Sequence, residues 1–188
     1  SVDNFGDTMA DSRNVLGAIG STGKTAYDLR TKNTVAYISP DFAGFTGIAA
    51  YVADWNATPA SGLDNNDYDA YSLSATYKNG PLYLGGGYEN QNWTTGSQDI
   101  WRVVGTFDIA GFKLGGEYEQ SDSDTAANSR DAYGLFASYT MGAFTFKGNY
   151  LNLNDSDAAG PDDGGDQWTI GADYALSKRT VAYAYYAA

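Results

Sequence analysis

The chain has 188 residues, among them 16 Tyr and 23 Gly, and carries 23 acidic against 11 basic side chains for a formal net charge of −12. That balance excludes an electrostatic nucleic-acid binder, which needs Lys and Arg to neutralise phosphates. With no Cys and no His, disulfides, thiolate nucleophiles, imidazole metal ligands and Ser-His-Asp chemistry are excluded as well.

The length fits one domain. No run of about 18 apolar residues predicts a transmembrane helix. The opening SVDNFGD has neither the basic start nor the apolar stretch of a signal peptide, so the expectation is that such a segment has been removed or that the chain begins internally.

From residue 31 onward, short alternating segments predict ten strands. The first pair is 31–40 and 45–55, joined through Asp41 to Gly44. The next is 68–78 and 81–91, around Asn79-Gly80; then come 98–108 and 112–121, around Ala110-Gly111. Strands 131–140 and 143–152 meet at Met141-Gly142, and 166–176 and 179–187 at Ser177-Lys178. The aromatics before these turns, Tyr77, Phe107, Tyr139 and Tyr174, recur with a period of about 30–35 residues, the mark of one hairpin unit repeated.

Counting by twos separates two faces. One carries Tyr71, Leu73, Ala75, Tyr77, Leu82, Leu84, Gly86 and Tyr88, then Trp101, Val103, Gly105, Phe107, Phe112, Leu114, Gly116 and Tyr118. It continues through Tyr133, Leu135, Ala137, Tyr139, Phe144, Phe146, Gly148 and Tyr150 to Trp168, Ile170, Ala172, Tyr174, Val181, Tyr183 and Tyr185. No charge interrupts it. The other face is small, polar and charged.

Aromatics bracket the apolar face at both ends, the distribution expected where hydrocarbon meets the middle and headgroups meet the rings. Only a closed barrel lets strands cross a bilayer without orphaned backbone groups. The fold class predicted is therefore all-β, an antiparallel transmembrane β-barrel. Its aromatic girdles are Tyr77, Tyr88, Trp101, Phe107, Tyr118, Tyr139, Tyr150, Trp168, Tyr174 and Tyr185. Six residues at ~3.3 Å, tilted by ~40°, span only about 15 Å of an expected ~25 Å apolar band. Short turns at one end and long acidic loops at the other (NATPASGLDNND, SDSDTAANSRD, NDSDAAGPDDGGD) match the outer-membrane arrangement.

Three stretches carry a resemblance: NTVAYISPDFAGFTGIAAY, SATYKNG and GADYALSKRT. In them the chain resembles the general porins of proteobacterial outer membranes, and FGDTMADSRN resembles that family's inward-folded constriction loop. The resemblance implies a sixteen-stranded barrel of which this chain supplies ten strands. Residues 1–188 would then be one barrel domain, incomplete at both ends: residues 1–29 belong to the constriction-loop region and 30–188 to successive hairpins. It further implies a homotrimer in the outer membrane of a Gram-negative bacterium, in contact with lipid and lipopolysaccharide, passing ions and small hydrophilic solutes without a cofactor. The pore constriction would pair Asp3, Asp7 and Asp11 with Arg30, Lys32 and Arg102. Ala36 and Ile38 stand where the family often has charged wall residues, which weakens the cationic wall there.

The polar face predicts lumen-lining Lys78, Asp108, Lys113, Glu117, Glu119 and Lys147, together with Asp54, Glu89 and Asp173. The signs nearly balance, which favours a broad, weakly selective channel. Glu117 and Glu119 share a face as a glycosidase pair might, yet i, i+2 pairing is automatic in a polar-faced strand, and no enzyme is expected. Asp155, Asp157, Asp162, Asp163 and Asp166 offer Ca²⁺-type oxygens, but Ala159 and Asp166 depart from an EF-hand loop. Two further classes compete with a channel: a plugged outer-membrane barrel acting as enzyme or structural anchor, and a soluble ligand-binding barrel with its apolar face inside.

Overall fold

The computed structural model describes residues 33–53, 69–93, 96–124, 129–157 and 162–188. These form β1 (Thr34–Ile38), β2 (Phe45–Ala53), β3 (Asp69–Asn79), β4 (Leu82–Trp93), β5 (Gly96–Ile109), β6 (Phe112–Ser123), β7 (Arg130–Met141), β8 (Phe144–Leu153), β9 (Gly165–Ser177) and β10 (Thr180–Ala187). All ten lie in one sheet whose spatial order is the chain order, each antiparallel to its sequence neighbours. Strands β4 to β6 run two residues further toward the long-loop side than their alternation predicts. Apart from Trp93 and Gly96 the extra residues are polar, so an apolar-stripe signal ends before the hydrogen-bond ladder does.

The turns explain why the hairpins are tight. Ala110 (φ 49) and Gly111 (φ 85) both take positive φ, the type I′ geometry whose twist suits a two-residue hairpin. Gly111 is needed twice over, because a Cβ there would lie 3.0 Å from the Thr140 carbonyl oxygen on the next hairpin. At β3–β4 the positive φ falls on Gly80 (φ 54), followed by Pro81, and at β7–β8 on Gly142 (φ 61). Those two turns therefore sit one residue later than Asn79-Gly80 and Met141-Gly142, as does Lys178-Arg179 at β9–β10.

Cross-strand register fixes the faces, since directly opposed residues point the same way. Leu114 faces Phe107 on one side and Ala137 on the other; Glu119 faces Arg102 and Ala132. The result is inverted relative to a water-soluble barrel. Apolar side chains such as Leu135 (58% exposed) and Ile170 (57%) stand open, while polar ones on the opposite face are buried: Glu119 at 1%, Ser121 at 0% and Thr169 at 0%. A contiguous apolar surface of this extent is stable against lipid rather than water.

The aromatics on the open face interlock across strands. Phe45–Tyr77, Phe112–Tyr139 and Phe144–Tyr174 pack at 4.3, 4.2 and 4.6 Å between centroids on the turn side. Trp101–Tyr118 at 5.1 Å and Tyr133–Tyr150 at 6.0 Å do so on the loop side. Polar tips on the loop side find partners just beyond the apolar band: Tyr88 Oη donates to Asp99 (2.5 Å) and Trp101 Nε1 to Gln120 (2.9 Å). On the turn side, open Ile109, Met141 and Leu176 carry the apolar face past the aromatics. Eight residues from Tyr133 to Met141 span roughly 20 Å at this tilt, which narrows the shortfall in band height.

One expected girdle residue is misplaced. A bulge between Thr180 and Val181 shifts the β9–β10 register by one residue, so Tyr185 opposes Gly171 and Tyr183 opposes Asp173. Because side chains alternate with period 2, that slip moves both tyrosines to the polar face. Tyr186 takes the outer place instead, 5.4 Å from the Trp168 ring.

Candidate functional site

The polar face is a wall of paired charges rising from small residues. Arg102 on β5 and Glu119 on β6 are directly opposed, and both Nε and Nη2 of Arg102 reach Glu119 Oε2. Nearer the turns, Lys113 lies 3.6 Å from Asp108 and Lys147 lies 2.6 Å from Asp173. Near the loops, Arg130 at the start of β7 pairs with Asp163. Lys78 has no carboxylate partner among the described residues.

All the lumen-lining residues expected from the sequence that lie among the described residues share this face: Lys78, Asp108, Lys113, Glu117, Glu119 and Lys147, with Glu89, Asp173 and Arg102. The remaining constriction residues, Asp3, Asp7, Asp11, Arg30 and Lys32, lie outside the described residues, as does Asp54. Of Glu117 and Glu119, the second is engaged by a guanidinium, which removes it from acid–base service in this geometry.

Sequence reasoning missed the loop-side half of the wall. There Gln98 Nε2 donates to Ser121 Oγ (2.6 Å), and Gln91 Nε2 donates to Glu89 (2.5 Å). Buried Asn149 on β8 has neither amide atom hydrogen-bonded among the described residues. Phe136 and Leu151 are also buried on this face, so the wall is less uniformly small than expected. Extending the polar alternation past Glu119 to Ser121 and Ser123 was the available signal.

Hydrogen bonds engage carboxylates of the acidic loop after β8. Asp155 accepts from the Gly164 N–H (2.7 Å), and Asp163 accepts from the Ser156 N–H and hydroxyl (both 2.8 Å) and from Arg130. Among the described residues no three of Asp155, Asp157, Asp162, Asp163 and Asp166 converge. Two of the five accept backbone N–H donors, and one of those two also pairs with a cation. The Ser156 donors, with Arg130 adding to them, hold the Asp163 carboxyl below its ordinary range. A depressed carboxylate contributes to order above its unfolded value and loses that contribution as pH falls through the folded one. The protection of the Ser156 amide relative to its intrinsic exchange rate should therefore be high at neutral pH and drop at pH values below the usual carboxylate range. Asp163→Asn should leave Ser156 poorly protected at both; protection in the variant equal to that of the unmodified protein would show that Asp163 does not hold Ser156.

An open apolar face, a charge-paired polar face and chain-ordered hairpins converge with the comparison to known sequences. A family model for Gram-negative porins matches residues 1–188. The chain belongs to the Gram-negative porin family. Among curated relatives, this porin is similar to the major outer membrane protein P.IB of Neisseria meningitidis serogroup B, 28% identical over 163 residues, covering 79% of this chain and 47% of that protein. It is likewise similar to P.IB of Neisseria sicca, 28% identical over 186 residues, covering 80% and 51%. The porin chain thus spans about half the length of the curated relatives it matches.

Among solved structures, an anion-selective porin from Comamonas acidovorans superposes with a TM-score of 0.71 at 23% identity, covering 94% of this chain and 54% of that one. Outer-membrane expressed OmpT of Vibrio cholerae gives 0.69 at 18%, covering 94% and 62%. At those identities the likeness establishes the porin β-barrel fold alone.

Proposed function

We propose that the protein is an outer-membrane diffusion porin, a passive water-filled channel for ions and small hydrophilic solutes, without turnover or cofactor. The observation that carries this is the inversion of the wall, open apolar side chains outside and paired charges inside. Names of its relatives place them in outer membranes, which supports the same location here, against lipid and lipopolysaccharide; a homotrimer there is what the family resemblance implies. Because the wall's cations among the described residues, Lys78 apart, sit beside carboxylates, this part of the wall adds little net field and selectivity is weak.

Asp3, Asp7 and Asp11 then set the field at the constriction, opposite Arg30, Lys32 and Arg102. Charges at a narrow, partly desolvated gap bias ion passage more than charges at the outer mouth, which salt screens within ~8 Å at physiological strength. In a KCl gradient, neutralising the three acids together should shift the zero-current potential of the intact porin towards anions. Neutralising Asp155, Asp157 and Asp162 should shift it less, and mainly at low salt. Equal shifts at high salt would remove the constriction from residues 1–29; failure to form channels in planar bilayers would remove the porin reading itself.

A further inference from the structure

The polar face holds a trench that the charge pairs do not account for. Along β4, two successive positions on this face are Gly85 and Gly87, so the strand presents bare backbone. The register sets Thr76 and Val104 on either side of Gly85, and Ser74 and Arg102 on either side of Gly87. The trench is therefore two strand spacings wide, ~9.6 Å between β3 and β5. Its cavity volume is about 260 Å³, just under the range typical of drug-sized pockets and suited to one small ring rather than a chain.

Its lining is specific. Ser72, Ser74 and Thr76 project a ladder of hydroxyls from β3, and none of the three has a side-chain hydrogen bond among the described residues. The Tyr83 hydroxyl leans over the floor, 3.4 Å from where a Cβ on Gly85 would stand. Ile100 and Val104 supply an apolar strip on the β5 side, interrupted by Arg102. Since Arg102 is already neutralised by Glu119, a charged solute must compete with that pair, whereas an uncharged one adds hydrogen bonds without breaking it. Hydroxyls both donate and accept, so a row of them complements a partner that also does both.

We propose that this trench is a subsite for a neutral polyhydroxylated solute the size of one sugar ring, its hydroxyls on the Ser72–Ser74–Thr76 ladder and its C–H face on Ile100 and Val104. The inference rests on the porin reading and names a solute class for that channel.

The test uses the intact natural porin in planar bilayers, with D-glucose, a polyethylene glycol of equal hydrodynamic radius, and glycine as probes. Glucose should reduce the open-channel current more than the glycol at equal concentration, and more than glycine. The triple variant Ser72→Ala, Ser74→Ala, Thr76→Val should weaken the apparent glucose affinity roughly a hundredfold, as the loss of three hydrogen bonds implies. Gly87→Ala places a methyl on the floor at an ordinary 3.5 Å from the Ser74 Cβ, so it should fold and also weaken glucose several-fold. Equal reduction by glucose and glycol, stronger reduction by glycine, or unchanged glucose affinity in Gly87→Ala each overturns the subsite while KCl conductance persists. Loss of all channels by the unmodified protein overturns the porin reading instead.

Discussion

Leu114→Arg should destabilise the barrel in lipid by ~2–4 kcal/mol, the cost of a cation at mid-depth on a lipid-facing strand. Leu114 is 49% exposed and opposed by Phe107 and Ala137, with no carboxylate on its face nearby. Arg there can satisfy its charge only by snorkelling past the Phe112–Tyr139 stack or the Trp101–Tyr118 pair. Its neighbour Lys113 points the other way, 3.6 Å from Asp108, and Lys113→Leu should cost far less. Unfolding in detergent–lipid mixtures, followed by heat-modified gel mobility, measures both. The reverse ranking would exchange the inside and outside of the barrel.

Arg102→Met should be nearly as damaging, at about 2–4 kcal/mol. Glu119 is buried, and removing its guanidinium strands a carboxylate in the wall, which elsewhere costs ~3–5 kcal/mol. The figure is lowered because the Arg102 side chain is 33% exposed and water can replace part of its contact. A mutant cycle isolates the pair: Arg102→Met with Glu119→Leu should recover much of the loss, since the orphaned charge is gone. If the double variant is as unstable as the sum of the two singles, Arg102 and Glu119 are not coupled and the wall is held by other contacts.

The hairpins were legible because the apolar face has one strict period between turns that demand glycine. Ala110-Gly111 could be placed to the residue; that Leu114 and Ala137 share one face followed from the alternation. Tyr185 could not be placed. A bulge is an extra residue in one strand, and YAYYAA offers tyrosine at both parities, so nothing in its composition marks the slip. The wall's charged members were legible one by one, whereas their pairing was not. Whether Arg102 meets Glu119 or Glu117 depends on a register offset of two residues, and each alternative would satisfy the same alternation. The trench was hidden for a different reason. In sequence, Gly85-Gly86-Gly87 looks like relief for packing, and only the strands on either side of it turn the missing side chains into space.

Since each strand is bonded to the strands before and after it in the chain, the information that specifies pairing is stored locally, hairpin by hairpin. A nascent segment can zip from its turn without waiting for distant residues, which keeps the loop-closure cost of each step small. The same locality makes the hairpin a unit of change. A duplicated or deleted pair of strands leaves every remaining ladder intact and alters only the circumference. Pore calibre in such a chain can therefore evolve in whole steps, by copying a module bounded by its own aromatics, without redesigning any interface between strands.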